Sequence, residues 1–180
     1  MIIEYDEAII KLEEGGRWNE AVRTLYERWT LDQNNINNLL CVGGEAWYVL
    51  TFFVDRLIEI DGITRDELIT ILLDTYDYGI CHFKNNAYFN AIFGYFIVIM
   101  PYMFLRPGST IGASIDEMGL DMIARAHALA PEDREISRMY EVSVLGLFDT
   151  PCNANFNWGN SELQMYFHRI YCSTDDGSVC

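Results

Sequence analysis

Apolar residues recur at intervals of three and four along most of this chain, the period of a helix that buries one stripe and wets the other. In residues 2–14, Ile2, Tyr5, Ile9 and Leu12 fall on one side, with Glu4, Glu7, Lys11 and Glu14 opposite. Residues 18–31 repeat the arrangement, turning Ala21, Val22, Leu25 and Trp29 inward and Glu20, Arg23, Glu27 and Arg28 outward, and Trp18, like Trp47 further on, is expected to be a core residue. Gly15 and Gly16 between them allow a tight reversal, so the two segments form an αα-hairpin. The polar string Asp32-Gln33-Asn34-Asn35 ends that hairpin and places Asn34 or Asn35 to cap the next helix. Residues 36–60 read as one long helix with Leu40, Trp47, Leu50, Val54 and Leu57 on its apolar face. The pair Gly43-Gly44 near its start lets a neighbour come close.

Asp61-Gly62 breaks the pattern, and Thr64-Arg65-Asp66-Glu67 has the form of a capping box, so a new helix opens there. Its polar residues Asp66, Glu67, Thr70, Asp74, Asp77 and Tyr78 share one third of the circumference, and the remainder is expected to be buried. After the turn Lys84-Asn85-Asn86 comes a segment of 19 residues without a charge, 87–105, about one bilayer crossing in length. Asn90, Gly94, Pro101 and three tyrosines interrupt it, and the amphipathic helices on either side have no other core to pack against. It is read as the buried central helix of a soluble domain, ended or kinked by Pro101. Arg106-Pro107-Gly108-Ser109 is a loop, and Ser114-Ile115-Asp116-Glu117 reads as a second capping box opening a helix to about residue 129. Pro131-Glu132-Asp133 reads as the start of another helix, running to about residue 148, with proline early and acids on the first turn. Residues 150–160 form an irregular loop rich in Asn and aromatics, and Ser161 caps a last helix to about residue 172. The expected fold is all-α: a single domain over residues 1–180, a compact bundle of about eight helices stacked as irregular antiparallel hairpins, with no sheet.

Within the first hairpin, Tyr5, Ala8 and Leu12, then Gly16 and Trp18, then Ala21, Leu25, Leu31, Asp32 and Asn34 stand at the spacing of one tetratricopeptide repeat, which the segment resembles. Ile9, Arg28 and Gln33 depart from that pattern, where a small residue, Ala and Pro are usual. Ala126, Leu129 and Pro131 echo the closing half of such a repeat. The resemblance implies a helical-repeat scaffold of the kind that serves as a binding module, such as an adaptor or chaperone that takes a peptide in the groove between its helix pairs.

Charge changes the picture most. Twelve Lys and Arg face 27 Asp and Glu, leaving −15 at neutral pH. Such a field repels phosphate backbones and anionic lipid, so nucleic acid and membrane are not expected partners, and a basic protein is. Cys41, Cys81, Cys152, Cys172 and Cys180 are odd in number and widely spread, and they read as reduced thiols. With acids at the N-terminus where an export signal would need bases, a cytoplasmic location is expected. His168 and Cys172 lie one turn apart, with Cys152 and Cys180 as further donors, yet no paired motif supports a metal, and none is assigned. Cys81-His82 and His127 are read as structural. The carboxylate pairs Glu13-Glu14, Asp66-Glu67, Asp74/Asp77 and Asp116-Glu117 are read as caps and solvated faces, so no catalytic residue and no cofactor is assigned. A compact, acidic, cytosolic helical domain without catalytic machinery resembles, at the level of class, the immunity proteins that bacteria pair with antibacterial toxins. That resemblance implies a partner that is a basic, nuclease-type toxin domain. The candidate contact surface is Asp66, Glu67, Asp74, Asp77 and Tyr78 with Asp116, Glu117 and Asp121.

Overall fold

The computed structural model describes residues 6–51, 60, 62–106 and 113–146. Among these are seven α-helices and one short 3-10 turn, with a π-helical turn following the third helix, and no strand occurs. The helices are α1 (Glu7–Glu14), α2 (Trp18–Leu31), α3 (Ile36–Val49), α4 (Arg65–His82), α5 (Ala87–Ile99), α6 (Ala113–Leu129) and α7 (Arg134–Ser143), with the 3-10 turn at Pro101–Phe104 between α5 and α6. The eighth expected helix, 161–172, and the loop 150–160 lie outside the described residues.

Local chemistry sets most of the boundaries. Helix α1 is capped at Asp6, whose carboxylate accepts the Ala8 N–H at 2.7 Å, and residues 2–5 of the expected first helix lie outside the described residues. Helix α2 has the expected limits, and Gly16 at φ 70° makes the reversal before it. Thr64 and Glu67 form the full capping box, each side chain accepting from the other's backbone N–H. The α-geometry of α3 gives way at Leu50 and Thr51 to a π-helical turn, in which the Thr51 hydroxyl donates to the Trp47 carbonyl at 2.8 Å. Residues 52–59 of the expected long helix lie outside the described residues.

Two expected starts are corrected. Helix α6 already includes Ala113, so Ser114 stands within its first turn rather than ahead of it as a cap. Pro131 and Glu132 belong to the preceding turn, and α7 is opened by Asp133, whose carboxylate accepts from both Glu135 N–H and Ile136 N–H. Helix α7 also ends at Ser143, short of residue 148, with Gly146 at φ 65° taking the left-handed conformation beyond it.

One junction recurs three times. The residue after the helix donates its N–H to the carbonyl four back: Asp32 to Arg28, Phe83 to Gly79, Ala130 to Ala126. Three residues on, the next cap returns its N–H to that residue's carbonyl: Asn35 to Asp32, Asn86 to Phe83, Asp133 to Ala130. Asn35, Asn86 and Asp133 then cap α3, α5 and α7 with their side chains. In the last two junctions a polar residue one turn into the new helix reaches back: Asn90 Nδ2 donates to Lys84 O at 2.9 Å, and Ser137 Oγ to Pro131 O at 2.9 Å. Asn90, the one amide in the apolar segment, is thereby satisfied although it is buried.

The core is built around α3 and α5. Every residue of α3 from Leu39 to Val49 is buried, as are Phe89–Gly94, Phe96 and Ile97 of α5. Trp47 stacks on Phe96 with centroids 4.5 Å apart and planes 9° from parallel. The long apolar segment splits into a helix of 13 residues and the 3-10 turn at Pro101, and among the described residues no helix is long and apolar enough to cross a membrane. Glycines let the helices close up: a Cβ at Gly79 would sit 1.9 Å from the Phe89 ring, and Gly94 and Gly119 bring the backbones of α5 and α6 together. Trp18, expected in the core, is only half-buried and leans on Tyr48 at 5.4 Å.

Replacing Trp47 by Ala is expected to cost about 3–5 kcal/mol in denaturant titration, the range for a large buried aromatic, and Trp18→Ala clearly less. Gly79→Ala should also lower stability, by about 1–3 kcal/mol through overpacking against Phe89. An unchanged midpoint for Gly79→Ala would mean that α4 and α5 part easily.

Candidate partner-binding surface

The acids of α4 lie along its wet side, but they differ in what holds them. Asp66 is exposed on the first turn, where a negative charge also complements the helix dipole. Glu67 is fastened: its carboxylate accepts from Thr64 N–H at 2.9 Å, from the Thr64 hydroxyl at 3.0 Å, and from Arg23 of α2 at 3.1 Å. The Thr64 N–H foremost, then its hydroxyl and the Arg23 guanidinium, hold the Glu67 carboxyl below its usual range. The same Arg23 nitrogen donates to Gly62 O at 2.8 Å, so one guanidinium ties α2 to the turn that starts α4.

Further along, Asp74 accepts from the Tyr26 hydroxyl at 3.4 Å. Burial first, then the Asp74 charge, pushes the Tyr26 phenol up. Asp77 is ion-paired to Arg106, which arrives from beyond the 3-10 turn. Tyr78 is half-buried and engaged on two sides: His82 stacks on its face at 3.9 Å, and Trp29 meets it edge-on at 5.6 Å. It is more a packing residue than a free contact.

On α6, Glu117 and Asp121 are exposed, and Asp116 lies on the first turn with its side chain outside the described set. The Tyr76 hydroxyl of α4 donates to Met118 Sδ of α6 at 3.2 Å, one contact between the two acid-bearing helices. Asp66 and Glu67 stand about 15 Å from Tyr76 and Asp77 along α4, at about 1.5 Å per residue. The eight candidate residues are therefore a row along α4 plus a short stretch of α6, not one cluster. Among the described residues no ion pair involves Asp66, Asp74, Glu117 or Asp121, whereas Glu67 and Asp77 each hold an arginine. Sequence spacing gave no sign of Arg23 or Arg106 at these positions, since they are 44 and 29 residues from their acids.

Catalytic arrangements fare differently. Ser137 Oγ lies 3.2 Å from His127 Nδ1 and also donates to the Pro131 carbonyl at 2.9 Å, the brace at the start of α7. The His127 ring is stacked on Tyr140 at 4.5 Å. Burial, with the Glu45 charge second, pushes the Cys41 thiol up to about 12, which makes it inert. Cys81 is exposed, and its neighbour His82 has Nδ1 2.9 Å from the Tyr78 carbonyl of its own helix. No group of three metal-ligating side chains occurs among the described residues, and His168, Cys152, Cys172 and Cys180 lie outside them.

The Glu67 fastening carries a pH signature. A carboxyl held below its unfolded value of 4.5 contributes stability that is complete above that value and lost as pH falls through the lowered one. Glu67→Gln should destabilise the protein at pH 7 and make little difference at strongly acid pH, read from denaturant midpoints. An equal deficit at both would leave the carboxylate charge without a role.

Comparison with known proteins adds no assignment to this geometry: no protein-family model, no curated protein and no solved structure matches the chain.

Proposed function

We propose that this chain is a protein-binding domain for a basic partner, and that the partner is an antibacterial toxin of the nuclease type that the domain covers and blocks. The observation that carries the choice of surface is the closure of α3. A tetratricopeptide-like adaptor displays its inner helices to a peptide, but α3 is buried from Leu39 to Val49 and keeps no face for one. What remains for recognition is the outer surface, where α4 and α6 expose Asp66, Asp74, Glu117 and Asp121 without ion pairs among the described residues. With −15 over the chain, those acids draw a basic protein inward and stand where the phosphates of a nucleic acid substrate would lie in a nuclease cleft. The reading places the protein in the cytoplasm, with no catalysis and no cofactor of its own.

Co-expression with the neighbouring reading frame tests it. A tight one-to-one complex with a basic nuclease-like domain, inactive while bound, is the expected result, and a set of weakly held peptides would favour the adaptor instead. Within such a complex, Asp66→Lys with Asp74→Lys should slow association at low salt, and added salt should narrow the gap to the parent as the charges are screened. Equal rates at low salt, with the helical circular dichroism intact, would take α4 out of the interface.

A further inference from the structure

We draw no further inference here: the strongest candidate, the partly exposed apolar face at the end of α7 formed by Val142, Val144 and Leu145, carries nothing because nothing in the structure shows what covers it.

Discussion

Two helices without a polar side set the terms for everything around them. An amphipathic helix can rest at the edge of a domain, but α3 and α5 are apolar over almost their whole circumference and must be covered on every side. The cover has to come close, because a gap beside a packed aromatic forfeits its dispersion contacts. That is why small residues sit where the helices meet. Gly43 leaves room for the Phe93 ring, Gly79 for Phe89, and Gly94 with Gly119 lets two backbones approach. The stacked pair Trp47 and Phe96 fills the space that this closeness defines.

A wrapped core of this kind needs the covering helices to arrive at fixed angles, and the recurring junction supplies that control. The N–H returned from each cap to the residue that ended the preceding helix closes the turn, and the capping side chain takes up N–H groups that would otherwise be orphaned. Asn90 and Ser137 add a second brace from inside the new helix. The first junction has Leu39 at that position and lacks the brace, while the Asn38 amide makes a longer bond of 3.5 Å to the Asp32 carbonyl. The turn is thus set by backbone and cap, and the brace is an addition.

What could be read from the sequence was what neighbouring residues decide among themselves. The limits of α2, the Thr64–Glu67 box, the Asn35 cap and the stop at Pro101 all depend on groups within about one turn of each other, and the spacing displays them. The failures at Ser114 and Pro131 are of the same local kind, since a Ser, an Asp and a Pro close together offer rival starts. At α7 the carboxylate of Asp133 reached two N–H groups and won. Trp18 sits at the core's edge for another reason: it packs there against Tyr48 of α3, and no local spacing shows how far a distant helix will cover it. The pairs Arg23–Glu67 and Arg106–Asp77 were out of reach altogether, because no spacing rule joins residues brought together only by the packing of helices. The acidic row itself was legible as a pattern on one face of α4. Which of its members are already spent on the fold was not.

That division matters for how so acidic a chain stays folded. Self-repulsion from a net charge of −15 works against compactness, and a domain selected for stability alone has no reason to keep it. Here some of the acid is turned to structural use: Asp6, Asp133 and Glu67 cap helices, and Asp6, Glu20, Glu67 and Asp77 each hold an arginine. Asp66, Asp74, Glu117 and Asp121 have no such employment among the described residues, and they stand on the outer helices α4 and α6. Screening confines their field to roughly 8 Å at physiological ionic strength, so it is felt only close to those helices. With α3 closed from Leu39 to Val49, these acids left outside ion pairs are carried by the outer helices α4 and α6, where the exposed Arg125 tempers their field without reversing it.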